Sequence, residues 1–344
     1  MCLIEGLPDD LALQCLARVP FSLYPSLSLV SPSWRDAIRS PDLVKARISA
    51  NSTQDLLCVS ASEPGNNWQL YDPARNIWMT LPPPPPAIVQ LESFGTACVD
   101  GRLFVLGGIH RAMALGTWHS VTNLVTDEVW SYDPAARRWD QCASMLSPRC
   151  MFACCGWEGK ILVAGGYTTE REMITNVEVY DPEHDAWVPM PSIEPVLCQG
   201  HKGLVLGGKV HVLHMELPTA QVWEGEERGW EIVDHHWSPL HSVVVGDELY
   251  TVSCRQVEAW GERGRGPPRR VGPGHRMFHQ RFGGGLASLG GKVYVFGGTL
   301  QYKRRQLYDM HCLDEVEAGK PKWCCRAGMT RGKGNVLGFA VLRI

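Results

Sequence analysis

The sequence predicts an all-β propeller of six blades that follows a small N-terminal all-α domain. Three observations support this fold class. An apolar run that ends in Gly-Gly recurs along the chain, as in Leu103–Gly108 and Ile161–Gly166. A Tyr-Asp-Pro sequence follows, with Trp seven residues after the Tyr in the pairs Tyr71/Trp78, Tyr132/Trp139 and Tyr180/Trp187. Residues 1–47 lack this pattern and show helical signals instead. A period of about 40–50 residues is typical of repeat architectures.

Each repeat predicts a small antiparallel sheet. The apolar run is short and does not alternate, which indicates a strand covered on both faces, and the two glycines mark a sharp turn of the backbone. The residues before Tyr-Asp-Pro are β-branched or aromatic and predict a second strand, while Asp-Pro predicts the hairpin into the strand that carries the Trp. Sheets with two apolar faces must stack on copies of themselves, and a ring of them is a propeller.

Counting by the strand that ends at Gly-Gly predicts six units. They are Leu56–Ser60, Leu103–Gly108, Ile161–Gly166, Val210–Met215, Leu249–Cys254 and Val293–Gly298. Residues 335–344 have the pattern of the strand that precedes the Gly-Gly strand elsewhere, and the first unit lacks such a strand. We therefore expect a propeller over residues 55–344 in which the last strand closes the first blade. The alternative is a frayed tail.

The order Gly-Gly, Tyr-Asp-Pro and Trp resembles the kelch repeat, and this resemblance implies a kelch-type propeller. Units four to six depart from the pattern. The fourth has no glycines after its strand and places Trp223 and Trp230 at the seven-residue step, and the fifth has Trp260 in the Tyr position. The borders of the blades are least defined in these units.

Residues 1–47 predict three short helices. The first has Pro8 in its first turn and is stopped by Pro20, and Asp9 and Asp10 interact favourably with the positive N-terminal end of the helix dipole. The second covers about residues 25–30, and the third covers residues 31–38, with Ser31 as its N-cap. Three short helices bury only a small core, so we expect this unit to dock on a partner. Residues 48–54 predict a short polar linker.

This helical segment resembles the F-box in the order and spacing of eleven residues. Two of them are Leu29 and Arg35, and the other nine are Leu7, Pro8, Asp10, Leu11, Leu16, Pro20, Leu27, Val30 and Trp34. The resemblance implies that these nine residues bind the Skp-type adaptor of a cullin–RING ubiquitin ligase, which in physical terms is an apolar helix pair laid in a hydrophobic groove. A helical cap on the propeller is the alternative. Together the two matches resemble the plant F-box/kelch-repeat proteins of the Skp-interacting-partner type.

The composition and the cysteine content indicate the cellular compartment of the protein. The 344 residues include no apolar run long enough for a membrane helix, and the acidic N-terminus lacks the basic region of a secretory signal. The chain has 13 cysteines, an odd number without the spacing of a disulfide framework, and most of them lie in predicted apolar strands. We expect a reduced, cytoplasmic and/or nuclear protein that binds no membrane.

Charge is unevenly distributed along the chain. The net charge is −3, but residues 260–344 carry 16 Lys/Arg against 5 Asp/Glu. The basic residues fall in separate loops, which favours an acidic patch on a partner protein over nucleic acid. Scattered solvated charges are the alternative.

The sequence offers no catalytic or metal-binding constellation. His211 with His214, His235 with His236, and His275 with His279 lack a second pair at ligand spacing, and Gly285–Lys292 departs from the phosphate-binding loop at Leu286. We expect no cofactor and no metal. Some kelch propellers are copper oxidases, so an enzyme is a rival class.

Binding is expected in the loops that follow Gly-Gly and in those that lead into the next blade, because these two sets share one face of the ring. Arg and aromatic residues are the usual anchors of an interface. The candidates are Arg111, Trp118, His119, Arg149, Arg171, His201, Arg281, Phe282, Tyr302, Arg304, Arg305 and Arg331.

The resemblance implies a non-catalytic substrate receptor of an SCF-type (Skp–cullin–F-box) ubiquitin ligase. Its helices would bind the adaptor, and through it the cullin and RING subunits, while the propeller would bind a target protein for ubiquitination. The alternative is a kelch scaffold that acts outside any ligase.

Overall fold

The computed structural model describes residues 3–63, 67–111, 123–261, 264, 266–275, 278–300, 305–316 and 320–344. Within them, an N-terminal helical unit precedes a six-bladed propeller, as predicted. The candidates Trp118, His119, Tyr302 and Arg304 lie outside the described residues. None of the described helices is long and apolar enough to cross a membrane.

The N-terminal unit contains four α-helices where three were predicted. They are α1 (Asp9–Ala17), α2 (Tyr24–Leu27), α3 (Pro32–Arg39) and α4 (Pro41–Ser49), with a 3-10 turn at Phe21–Leu23. Two Ser-Pro pairs begin the last two helices in the same way. The Ser31 hydroxyl accepts from the Trp34 N–H at 3.1 Å, and the Ser40 hydroxyl accepts from the Asp42 N–H at 3.1 Å. Because α4 runs to Ser49, the linker is shorter than the predicted 48–54.

Six four-stranded antiparallel sheets form the blades. From the innermost strand outward, blade 1 contains β30 (Lys333–Arg343), β1 (Asp55–Glu63), β2 (Asn67–Asp72) and β3 (Ile77–Thr80); blade 2 contains β5 (Gly95–Val99), β6 (Arg102–Leu106), β9 (Val129–Asp133) and β10 (Arg138–Cys142); blade 3 contains β11 (Ala153–Trp157), β12 (Lys160–Ala164), β13 (Val177–Asp181) and β14 (Ala186–Met190). In the same direction, blade 4 contains β15 (His201–Leu206), β16 (Lys209–His214), β17 (Thr219–Trp223) and β18 (Trp230–Asp234); blade 5 contains β19 (Ser242–Val245), β20 (Glu248–Val252), β21 (Gln256–Trp260) and β22 (Arg269–Pro273); blade 6 contains β24 (Gly285–Leu289), β25 (Lys292–Phe296), β28 (Met310–Val316) and β29 (Lys320–Arg326).

The ring closes within blade 1. β30 pairs antiparallel with β1, in a register that places Arg343 opposite Asp55 and Phe339 opposite Val59. The six innermost strands contact one another in sequence around the axis, and β30 lies between β24 and β5. The strand that the sequence assigns to residues 335–344 thus occupies the innermost position of the first blade.

A short helix and two small sheets lie outside the six blades. The helix α5 (Pro86–Val89) joins blade 1 to blade 2, and two three-stranded sheets lie above blades 2 and 6. The first contains β4 (Leu91–Glu92), β7 (Ile109–Arg111) and β8 (Asn123–Val125), and the second contains β23 (Arg281–Phe282), β26 (Thr299–Leu300) and β27 (Arg305–Gln306).

The seven-residue step has a direct structural cause. In blades 1 to 4 the two aromatic residues face each other as cross-strand partners on the outer hairpin, for example Tyr180 opposite Trp187 with ring centroids 5.1 Å apart. Asp in the Asp-Pro turn accepts from the backbone that follows, as Asp133 does from the N–H groups of Ala135 and Ala136. Local turn chemistry therefore sets the register of each outer hairpin.

The same tryptophans join neighbouring blades. Each indole N–H donates to a main-chain carbonyl of the preceding blade or its exit loop, in the pairs Trp78–Ala327, Trp139–Pro82, Trp187–Ala143, Trp230–Pro191 and Trp323–Pro273. Blade 5 has Trp260 in the Tyr position, and its indole donates to Thr251 of the same blade at 3.0 Å. The repeated Trp is therefore a link between blades as well as a core residue.

The helical unit is attached to the propeller through Arg47, which is 1% exposed. Its guanidinium makes five hydrogen bonds to the carbonyls of Val19, Ser52 and Ile344, the Tyr24 hydroxyl and the Gln54 amide oxygen. These acceptors belong to the helices, the linker and the last strand of the propeller. One side chain thus uses all five of its N–H donors to hold three segments together.

Replacing Trp187 with Phe is expected to lower the free energy of unfolding by about 1 kcal/mol, because the ring stays against Tyr180 but the bond to Ala143 is lost. Trp187→Ala is expected to cost more, since it also removes the ring contact. Urea unfolding followed by circular dichroism measures both. A Phe variant as stable as the wild type would contradict the proposed link between blades.

Arg47→Met is expected to lower the free energy of unfolding by at least about 3 kcal/mol, because several buried acceptors lose their donor at once. Arg47→Lys offers only three donors and should fall in between. Lys45→Met is the matched control, since the Lys45 side chain is 78% exposed and pairs only with Asp42. Equal stability of the Arg47 and Lys45 variants in denaturant unfolding would contradict this role.

Candidate partner-binding surfaces

The two sides of the ring carry different loops. One side, the hairpin face, holds the turns between the first and second and between the third and fourth strands of each blade. The other side, the loop face, holds the connections from second to third strand and from each blade to the next. The helical unit lies on the hairpin face, where Arg75 of a blade 1 hairpin donates to the Ser22 hydroxyl at 2.7 Å. A cavity of about 200 Å³ at this junction is lined by Phe21 and Tyr24 on one side and by Pro134 on the other. The loop face is therefore directed away from the helices.

The helical unit presents an apolar surface to solvent. Pro8 and Asp10 are exposed, Leu11 is 50% exposed and Val30 is 60% exposed. Leu29, which matches the motif but was not assigned to adaptor binding, is 81% exposed and is the most accessible large apolar side chain among the described residues of this unit. Side chains of this kind cost free energy in water and mark an interaction site. We define Pro8, Leu11, Leu29 and Val30 as the adaptor surface.

One assigned residue has a structural role instead, and two others are partly buried. Leu16 is 2% exposed and lies in the core shared with the propeller, so it cannot contact an adaptor. Leu27 and Trp34 pack against the same core, and the Trp34 indole donates to the Leu3 carbonyl at 2.6 Å. Leu7 and Pro20 are partly exposed. The sequence pattern identifies the motif but does not separate its buried stripe from its exposed one.

Arg149 was predicted as a contact residue and is wrong in that role. Its side chain is fully buried, donates to the carbonyls of Gly165 and Asn176, and forms an ion pair with Glu178. Burial lowers the pKa of Arg149, and the Glu178 carboxylate opposes that shift. The main chain at this position also restricts residue 107 to glycine, because a Cβ on Gly107 would lie 2.6 Å from the Arg149 carbonyl. Arg149 thus stabilises the Gly-Gly turns of blades 2 and 3.

Arg281 occupies the equivalent position of blade 6, and His201 is the first residue of β15; both are corrected in the same way. The Arg281 side chain is 2% exposed, donates to the Gly297 carbonyl at 2.7 Å and forms a two-point ion pair with Asp309 at 2.9 and 2.6 Å. His201 is 8% exposed, and burial, with a further contribution from His214, lowers its pKa to about 4. Neither side chain is accessible to a partner.

The remaining described candidates lie on the loop face as predicted. Arg171, Arg305 and Arg331 are exposed, and Phe282 is 62% exposed. Arg111 ends β7 on the same face. Whether any of them contacts a partner stays a prediction.

The loop face also carries exposed apolar residues that sequence reasoning missed. They are Leu124, Leu146, Met151, Leu197, Leu240 and Tyr308. Leu197 is 83% exposed, and all six lie in the two loop sets of this face. Apart from these six and Phe282, the exposed large apolar side chains among the described residues of the propeller are Ile77, Val188 and Ile232, which lie on outermost strands. The signal available in the sequence for these residues was a large apolar side chain within one of the predicted loops.

The central channel holds a cavity of about 1090 Å³ lined by the innermost strands. Burial lowers the pKa of Lys202 to about 8, and its ammonium donates to the carbonyls of Pro239 and Ser242 at 2.8 and 2.7 Å. Burial raises the pKa of the Cys154 thiol well above its usual value. In the described parts of the chain, no three His, Cys, Asp or Glu side chains converge as metal ligands. Lys202 therefore serves to join β15 to the blade 5 loop.

A helical unit fixed to the hairpin face of a kelch-type ring defines a two-domain protein, and comparison with known proteins names both parts. The F-box domain profile matches residues 4–46, and the Kelch motif profile matches residues 92–146 and 148–193. The F-box/kelch-repeat protein SKIP30 of Arabidopsis thaliana is 42% identical over 347 residues, which cover 99% of this chain and 97% of that protein. The chain therefore belongs to the F-box/kelch-repeat proteins.

Two further matches agree with this assignment. The F-box protein AFR of Arabidopsis thaliana is 30% identical over 73% of this chain and 68% of that protein. The solved structure of YjhT is similar with a TM-score of 0.60 at 13% identity, over 79% of this chain and 94% of that one. At this identity the likeness shows the propeller fold alone.

Asp309 makes the blade 6 loops sensitive to acid. Burial opposes ionisation, but hydrogen bonds from His311 and Arg281 outweigh it and hold the pKa of Asp309 below its usual range. Its carboxylate therefore contributes stability above the unfolded pKa of about 3.9, and this contribution is lost as pH falls below that value. Asp309→Asn is expected to be less stable at pH 7, with the two stability curves converging in acid. Parallel curves in thermal unfolding would contradict this, and Asp234→Asn, at an exposed site, is the control.

Proposed function

We propose that this protein is the substrate-recognition subunit of an SCF-type ubiquitin ligase. The observation that carries the proposal is the attachment of an F-box, with its apolar adaptor surface exposed, to a propeller whose loop face is directed away from it. The adaptor surface would bind a Skp-type adaptor and through it the cullin and RING subunits. The loop face would bind the target protein.

In this proposal the chain contributes proximity and no bond chemistry. Holding a target near the site of ubiquitin transfer raises its effective concentration, and this alone accelerates the reaction. The described thiols and lysine of the channel are buried or hydrogen-bonded, which supports a receptor over an enzyme. The F-box and the loop face lie on opposite sides of the ring, so a target would be held on the side facing away from the helical unit.

The joint between the two domains supports a fixed orientation of the target. Leu16, Phe21 and Leu43 of the helices share one continuous core with Leu56 and Leu342 of blade 1. Arg47 adds its hydrogen bonds across the same junction. A receptor with this joint would present each target in one geometry relative to the adaptor.

We further propose that the protein acts in the cytoplasm or the nucleus. The twelve described cysteines are all free, and burial raises the pKa of Cys58, Cys98 and Cys155. Unpaired buried thiols suit a reducing compartment. Fluorescence microscopy of the tagged full chain tests this, and an exclusively secreted protein would contradict it.

Leu29→Glu with Val30→Glu is expected to weaken binding to a purified Skp-type adaptor about 100-fold or more, because two apolar side chains lose their burial and two charges are introduced. Isothermal titration calorimetry measures the affinity. Ile48→Glu is the control. Ile48 is 64% exposed and lies on α4, outside the residues that match the F-box profile, so this variant should bind as the wild type does.

Two results would contradict the proposal. Wild-type protein that does not bind the adaptor at micromolar concentration would leave the kelch scaffold outside any ligase as the better explanation. Binding that is lost equally in the Ile48 control would show that the adaptor surface is elsewhere. Circular dichroism of each variant confirms that the propeller is intact.

A further inference from the structure

We propose that the loop face recognises its target through an acidic segment of the target chain, which binds a basic patch on blade 6. The patch consists of Phe282, Arg305, Tyr308, Arg331 and Lys333. This inference rests on the proposed function, because it names the chemistry of the protein that the propeller would hold.

Main-chain contacts bring the loops that carry the five residues together. Phe282 pairs with Thr299 and Arg305 pairs with Leu300 in the small sheet above blade 6. The connection to blade 1 is bound to this sheet, since the Gly298 N–H donates to the Gly334 carbonyl at 2.7 Å and the Gly334 N–H donates to the Leu307 carbonyl at 3.1 Å.

Tyr308 lies beside the same connection. The Met329 N–H donates to the Tyr308 carbonyl at 2.7 Å, and a Cβ on Gly328 would lie 2.9 Å from the Tyr308 ring. Three successive loops therefore meet around one centre.

The cations of the patch are available to a ligand. Arg305, Arg331 and Lys333 are exposed, and none of their side chains forms a hydrogen bond or ion pair with a described side chain. Lys333 lies opposite Glu63 of blade 1 in the pairing of β30 with β1. The nearby carboxylate of Asp309 is already engaged by Arg281 and His311. The positive charge of the patch is thus not neutralised within the described part of blade 6.

The sequence of the loops shows that this charge is particular to blade 6. Its three connections, residues 274–284, 297–309 and 327–333, contain seven Lys/Arg and one Asp/Glu. The corresponding connections of blade 3, residues 143–152, 165–176 and 191–200, contain two Lys/Arg and three Asp/Glu. A partner with one acidic segment would therefore be oriented on the ring, because the opposite side repels it.

The composition of the patch favours a protein ligand. Arginine binds carboxylates through two parallel hydrogen bonds, and exposed aromatic side chains such as Phe282 at 62% and Tyr308 at 54% anchor apolar neighbours of those carboxylates. The positive charge is confined to the loops of one blade, and the chain as a whole has a net charge of −3. Both facts favour a short acidic peptide that contains an apolar residue.

The test measures fluorescence anisotropy of the full-length protein with a labelled peptide in which Phe is flanked by Glu residues. A peptide with Gln in place of Glu, a phosphoserine version and a single-stranded oligonucleotide are compared at physiological ionic strength. The decisive variant is Arg331→Glu with Lys333→Glu. Its matched control is Lys320→Glu with Lys322→Glu, which makes the same charge change at exposed positions of β29 in the same blade.

We expect the Glu peptide to bind the wild type and the control about tenfold or more tightly than it binds the patch variant. We also expect the wild type to bind the Glu peptide about tenfold or more tightly than the Gln peptide. Tighter binding of the phosphoserine peptide with the same dependence on the patch supports the inference and identifies phosphate as the source of charge. No binding of the Glu peptide, equal binding of the Gln peptide, or equal loss in the control overturns it. Tighter, patch-dependent binding of the oligonucleotide also overturns it.

Adaptor binding of the patch variant separates the two proposals. If that variant binds the Skp-type adaptor as the wild type does, a failed peptide test removes only the acidic-segment inference. If the wild type binds the peptide but not the adaptor, the proposed ligase function fails while the patch remains a binding site.

Discussion

Closure of the ring by β30 on β1 is the pairing on which the rest of the structure depends. A propeller blade is stable only between two neighbours, so an open ring would expose two apolar blade faces to water. In this protein the strand from the end of the propeller completes the blade made by its beginning, and the register places Arg343 opposite Asp55. The same pairing brings Ile344 to the linker, where the N–H groups of Gln54 and Ile344 each donate to the other residue's carbonyl, at 2.7 and 3.0 Å.

Arg47 uses that closure to position the F-box. Its hydrogen bond to the Ile344 carbonyl exists only when β30 is in place, and its other bonds reach the helices and the linker. The orientation of the adaptor surface is therefore coupled to completion of the propeller. A chain whose ring is not closed would lose this bond and the core contacts of Leu342 and Ile344, so the position of the F-box and the integrity of the loop face depend on the same pairing.

The arginines of the loop face have two different roles. Those that immediately precede an innermost strand, Arg149 and Arg281, are buried and satisfy the carbonyls that the Gly-Gly turns leave without partners. Those farther out in the loops, Arg305 and Arg331, are exposed and carry unneutralised charge. Since the buried arginines hold the loops that carry the exposed ones, the scaffold positions the binding groups.

Sequence alone determined the repeat, the number of blades, the closing strand and the helical character of the first residues, because each depends on local periodicity and turn chemistry. The pairing of Tyr180 with Trp187, for example, follows from an Asp-Pro hairpin of constant length. Tertiary structure decided which members of each motif are accessible. Leu16 and Val30 belong to the same F-box pattern, yet one is 2% and the other 60% exposed, because only packing against the propeller distinguishes the two sides of a short helix pair. Burial of Arg149 likewise depends on Glu178 of β13 and Gly165 of the turn after β12, and spacing along the chain does not encode such contacts.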